Sequence, residues 1–310
     1  MEVVIGTVII TIICLLSVLV ALHRLATMRT VGPYAHYLSA TLLCFGLGRL
    51  ARTPVISDEW VDGWFHSWSG VWNVTDFSGM TLAAVGAIFL VHTVAGIFGR
   101  PISTPLLIGS IGAAVAGMGA TFALSPVPHA PTAFMSRDFD MTGWFAIYWL
   151  IYLSCLGFAT GTVALLAGRA AAVFRPGAPR TAVASLAIAG LFGLMYVTHK
   201  VVNLTVEYFA VWGWYSEHAP QISLAMLACA LLSGVLGLLL MLSAAVGRRV
   251  GRFRLLRDRV QQWRDSHAHA PDVSLDDALM PSGSIWSLWK ATRDPVVAHR
   301  MLVELADARG

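Results

Sequence analysis

A chain of 310 residues that is 57% hydrophobic and only 12% charged does not have the composition of a soluble globular protein, which carries roughly 25% charged residues. Its formal net charge of +4 is modest, and no nucleic-acid partner is expected. The apolar residues fall in runs of ~20, the length a helix needs to cross a ~30 Å hydrocarbon core. Backbone in lipid must satisfy its own hydrogen bonds, so these runs are predicted to be helices. The predicted fold class is all-α, a polytopic membrane helix bundle with the lipid bilayer as its first partner.

Seven runs qualify in chain order: approximately Val3–Leu22, Tyr34–Leu50, Phe77–Phe98, Thr104–Leu124, Gly143–Gly168, Ala182–Tyr208 and Gln221–Val246. They predict a seven-helix transmembrane domain over residues 1–246 and a short helical cytoplasmic tail over 247–310. The first run is read as a retained span and not a cleaved signal, because Glu2 precedes it and the basic Arg24 and Arg29 follow it. Loops after the first, third and fifth runs carry Arg24, Arg29, Arg100, Arg169, Arg175 and Arg180 without an acid. The opposite loops carry Asp58, Glu59, Asp62, Asp138, Asp140 and Glu217. Arginine-rich loops stay inside, so the amino terminus is expected outside the cell and the carboxyl terminus in the cytoplasm of a bacterial plasma-membrane protein.

Between the second and third runs Trp60, Trp64, Trp68 and Trp72 recur every four residues. A helix there would place them on one side, either in the outer interface at headgroup depth or as an aromatic lid over an external pocket. Small residues at spacings of three or four, Gly157 and Gly161, Gly109, Ala113 and Gly117, Gly190 and Gly193, and Gly234 and Gly237, mark places where helices can approach closely. Cys14, Cys44, Cys155 and Cys229 all lie in apolar runs and read as packing residues.

Ionisable groups inside spans are costly and usually face the bundle interior. Arg49, Asp76, His199, Lys200, Asn203 and Glu207 all fall at similar depth near the external face, and they form the candidate polar or ligand site. Lys200, Asn203 and Glu207 share nearly one helical face. An Asp76–Arg49 pair that merely holds helices in register is the structural alternative. Lys200 is not on the last span, which excludes a retinal-type lysine. His36 and His92 lack a haem pattern, and His267-x-His269 lacks a third ligand. No cofactor and no metal are expected, and Asn73-Val74-Thr75 is assigned nothing.

The tail changes character, with eleven basic and eight acidic residues in its sixty-four. Arg252, Phe253, Leu256, Val260 and Trp263 form a basic amphipathic helix suited to anionic inner-leaflet lipids or to a cytoplasmic protein partner. Ala268 to Pro281 reads as linker. Asp294-Pro295 starts a final helix, with Val297, Leu302 and Leu305 as its apolar face. No P-loop, His-Glu-x-x-His or Gly-x-Ser-x-Gly motif is present, so no enzyme is indicated.

The Pro54 to Asp62 segment and Asn73-Val74-Thr75-Asp76 resemble an actinobacterial family of multi-pass membrane proteins catalogued as transporters. The Pro131 to Phe134 stretch, Tyr148 and Tyr152, and His299-Arg300-Met301-Leu302-Val303-Glu304-Leu305 carry the same resemblance. It implies seven spans followed by a cytoplasmic domain of unknown function, which in members of that family extends further than the tail here. The implied role is transport of an unidentified substrate. A membrane sensor or scaffold for an external ligand, signalling through the tail, is the alternative that the outer polar and aromatic residues suggest.

Overall fold

The computed structural model describes residues 2–27, 33–53, 61–132, 135–209, 211, 213–269, 281, 284–292 and 294–307. Among them the regular structure is helical throughout. The helices are α1 (Glu2–Thr27), α2 (Pro33–Ala51), α3 (Asp62–Ser69), α4 (Val74–Ile97), α5 (Thr104–Ala123), the single turn α6 (Met135–Asp138), α7 (Gly143–Val173), α8 (Ala178–Phe209), α9 (Gly213–His269), α10 (Ile285–Ala291) and α11 (Pro295–Asp307). The chain divides into two compact units. One comprises Met1–Arg175 with Val183–Gly237, the other Pro176–Ala182 with Leu238–Gly310.

Among the described residues five helices are long and apolar enough to cross a membrane: α4, α5, α7, α8 and the Glu217–Asp265 part of α9. The chain is therefore a multi-pass membrane protein. Helices α1 and α2 cover the first two predicted runs; α1 is 26 residues long, and α2, with 19 residues, carries His36, Arg49 and two tyrosines among its apolar residues. Exposed leucines fit a lipid solvent: Leu232 is 71% and Leu238 60% exposed, large apolar surface that water would penalise.

Glycines set how closely the first unit packs. A Cβ on Gly79 would lie 2.5 Å from the Gly48 carbonyl oxygen, and one on Gly48 would lie 2.6 Å from that of Gly79. Helices α2 and α4 thus cross backbone to backbone, as small residues permit in membranes. Gly190 and Gly193 seat α8 on α7 in the same way, against Ala164 and Thr160. Gly109 and Gly161 meet nothing nearby. Their spacing partners do the packing instead: a Cβ on Gly157 would lie 3.2 Å from Val197 and one on Gly117 3.1 Å from Ile151.

The core of this unit is aromatic and sulfur-rich. Met80, Met118, Phe122, Phe145, Tyr148, Trp149 and Tyr152 pack together, with Phe77 stacked on Phe122 at a centroid distance of 4.6 Å. Beside it, Asn73 adopts a left-handed φ of 60°, a conformation Asn tolerates better than most residues. Its amide donates to the carbonyls of Val127 and Ala130, each at 2.8 Å, and accepts from the Thr132 N–H at 3.3 Å. Asp62 accepts from the Thr75 N–H at 2.9 Å and the Thr75 hydroxyl at 2.6 Å. One loop is thereby tied to another and the start of α4 is fixed. Asn73 is buried with both amide ends engaged, which explains why its glycosylation-like pattern signifies nothing.

The second unit has its own core. Leu256, Val260 and Trp263 of α9 pack on Leu288 of α10 and on Val297, Ala298, Met301 and Leu305 of α11. The apolar stripe expected to lie on lipid or on another protein is covered by helices of the same chain, with Trp263 only 1% exposed. Phe253 joins this packing partly buried, and Arg252 is half-buried. The stripe is satisfied internally because α11 supplies a matching face. Met301 and Ala298 turn inward, whereas Leu302, expected inside, is 40% exposed. Asp294 caps α11 by accepting the Val296 N–H at 2.8 Å, as its Asp-Pro start predicts. Most of the Ala268–Pro281 linker lies outside the described residues.

Candidate functional site

Arg52 follows the last residue of α2, and Asp76 sits in the first turn of α4. Arg52 Nε donates to Asp76 Oδ1 at 3.0 Å. The side chains are 30% and 19% exposed, so the pair is largely withdrawn from solvent. Arg52 can reach across because Gly79 offers no side chain: a Cβ there would come within 2.5 Å of Arg52 Cγ. The expected partner of Asp76 was Arg49. The structure instead leaves Arg49 exposed and gives the contact to Arg52, three residues further on.

Tyrosines surround this pair. Tyr152 is within hydrogen-bonding reach of the guanidinium, and Tyr148 lies close enough to both charges to interact with them electrostatically. Tyr148 is fully buried, and its hydroxyl has no hydrogen-bond partner among the described residues. The same holds for the indole N–H of Trp149. Buried donors without acceptors are uncommon in folded proteins and each calls for an explanation.

The α8 residues divide three ways. Lys200 places its ammonium 5.8 Å from the centre of the Tyr196 ring, and it lies within the electrostatic reach of Glu207 and, to a lesser degree, of Arg52. Asn203 donates to Glu207 at 2.7 Å on the exposed side, so Glu207 engages the intervening amide and no Lys200–Glu207 ion pair forms. His199 is buried and clamps α8 to α9. Its Nε2 faces the Ala219 carbonyl at 3.1 Å and the Ser223 hydroxyl at 3.0 Å, and its Nδ1 meets the Tyr215 hydroxyl. The Ala219 carbonyl can only accept, so in the neutral ring Nε2 carries the proton and Nδ1 accepts from the Tyr215 hydroxyl.

Comparison with family models, curated proteins and solved structures finds no match.

The tryptophan stripe holds only in part. Trp64 and Trp68 lie on α3, stacked with centroids 6.5 Å apart and mostly exposed. Gly70, with φ of 74°, ends that helix, so Trp72 leaves the stripe and stacks on His66 at 4.0 Å. Trp60 lies outside the described residues. Among the described residues no group of three His, Cys, Asp or Glu side chains is placed to hold a metal ion.

The site thus gathers Asp76 and Lys200 from the predicted set, with Glu207 in electrostatic reach of Lys200 and Arg49 in reach of Tyr152 and Tyr196, whereas His199 is engaged with α9 and Asn203 with Glu207. It adds Arg52, Tyr148, Tyr152 and Tyr196, which sequence reasoning did not assign to it. A signal for Arg52 was present. Gly48 and Arg52 are four apart and share a helical face, and Gly48 marks a close crossing.

Proposed function

We propose that this chain is a plasma-membrane transporter of a small anionic solute, bound near Arg52, Asp76 and Lys200 in the half of the bundle that faces outside. The observation that carries the reading is the imbalance of groups at the site. The Arg52 and Asp76 charges offset each other, while Lys200 feels the Glu207 carboxylate without pairing with it, that carboxylate being engaged by the Asn203 amide. The Tyr148 hydroxyl has no hydrogen-bond partner among the described residues. A carboxylate or similar acceptor-rich group is the complement of such a set. Charged groups at membrane depth mark solute pathways more often than they mark packing. The outward assignment follows from the arginine-rich loops.

Reconstituted vesicles test it. Small carboxylates applied on a solid-supported membrane should give a transport current that size-matched amines do not. Lys200→Ala should abolish that current while the protein stays monodisperse. Equal currents from Lys200→Ala and the unmodified protein would remove Lys200 from the mechanism.

A sensor is the second reading, favoured by the separate core of the second unit. Deleting residues 247–310 distinguishes the two. A transporter keeps its flux without the tail, whereas a sensor loses its cellular response.

A further inference from the structure

A cavity of about 680 Å³ lies between α4, α5 and α7, away from the Arg52–Asp76 pair. Its volume is in the range of small-molecule sites, which run roughly 300–1,000 Å³ and occur between the helices of bundles. All three walls are membrane-crossing helices by length and composition. The lining is almost wholly apolar, with Ile88, Leu106, Ile147, Leu150 and Phe158 among its residues and Ala113 and Ser110 opening its α5 wall. A molecule reaching it comes from the bilayer, because only an apolar body gains by entering a site lined this way.

Ser110, Ser154 and Cys155 add small polar groups to the lining, and among its polar residues one imidazole gives the cavity chemical direction. His92 lines it and is 4% exposed. Its Nδ1 lies 2.9 Å from the Ile88 carbonyl, an acceptor, so in the neutral ring Nδ1 carries the proton. Nε2 is then an acceptor, and it is buried with no hydrogen-bond partner among the described residues. The ring is held on its far side by an edge contact with Tyr37, centroids 6.4 Å apart. A buried imidazole acceptor without a donor is a cost that a bound O–H group would remove.

We infer that this cavity binds a membrane-soluble molecule with an extended apolar body and one hydroxyl group, the hydroxyl donating to His92 Nε2. Nε2 is screened in this structure, so binding requires the imidazole to turn toward the cavity, and the apolar body lies along Ile147, Leu150 and Leu106.

Photolabelling of the full chain in lipid vesicles tests this with two probes of equal length. One is a long-chain primary alcohol with a mid-chain diazirine, the other the same diazirine chain ending in a methyl group. The alcohol should label peptides containing Leu106, Ile147 and Leu150 about fivefold more than the hydrocarbon does, the increment expected for one hydrogen bond. His92→Phe should erase that preference while leaving hydrocarbon labelling in place. Ala113→Phe, which fills the α5 wall, should lower labelling by both probes about tenfold. Equal labelling by the two probes on the unmodified protein overturns the hydroxyl assignment. Leu231 and Leu239 are about as exposed as Leu106 and Leu150 but do not line the cavity, so labelling of them at the same level as the cavity residues overturns the site. Both results are read on the native chain, so they hold even if a variant fails to fold.

Discussion

Two buried arginine–carboxylate pairs, one in each unit, invite comparison. Arg300 and Glu304 sit one turn apart on α11, 2.6 Å from Nε to Oε1, with side chains 8% and 6% exposed. The second Glu304 oxygen accepts the Trp263 indole N–H at 2.6 Å. Both partners come from the same helix, the third group comes from the helix packed against it, and the carboxylate is engaged at both oxygens. Arg52 and Asp76 are twenty-four residues apart on different elements and are more exposed, with a buried phenol left unpartnered beside them. The first arrangement is a closed structural knot. The second joins two elements and has a buried phenol beside it without a hydrogen-bond partner among the described residues.

That contrast orders the expected effects. Glu304→Ala leaves Arg300 charged and buried, which costs about 3–5 kcal/mol. In the full chain, α11 amides should then lose their protection from hydrogen exchange. Replacing both members together, Arg300→Met with Glu304→Leu, should cost far less, because no lone charge remains. If the double replacement is as damaging as the single one, the pair is doing something other than packing. Asp76→Asn should cost less than Glu304→Ala, about 1.5–3 kcal/mol, read as a denaturation midpoint in detergent, but it should abolish flux. Gly79→Ala should cost about 1–3 kcal/mol and impair flux as well, since the new methyl displaces Arg52 from its path. Tyr215→Phe, which removes one hydrogen bond from the His199 clamp, should cost about 0.5–1.5 kcal/mol with flux retained. Trp64→Ser with Trp68→Ser should move stability least, within about 0.5 kcal/mol, because both rings are exposed.

Helices were legible from the sequence because apolar run length is a strong signal. Helix-forming segments cover all seven runs, and five of them are long and apolar enough to cross a membrane among the described residues. Arg52 was missed because it lies just beyond the run that defines α2, where sequence reading turns to loop. Hydropathy locates the end of a span but not the last helical face. The tail shows a different limit. Both stripes were visible, on residues 253–263 and on 297–305, but periodicity reports that a face needs cover and not what covers it. The motif His299-Arg300-Met301-Leu302-Val303-Glu304-Leu305 owes its pattern to that cover, since Arg300, Met301, Glu304 and Leu305 all turn inward.

Exchanging the charges of the bundle pair, Arg52→Asp with Asp76→Arg, tests the functional reading of the site most directly. The exchange preserves an ion pair but moves the cation from the end of α2 to the first turn of α4. A denaturation midpoint near that of the unmodified protein, together with loss of carboxylate current, is the predicted result. A swapped protein that is stable and transports carboxylates at the original rate would show that the pair only holds α2 against α4.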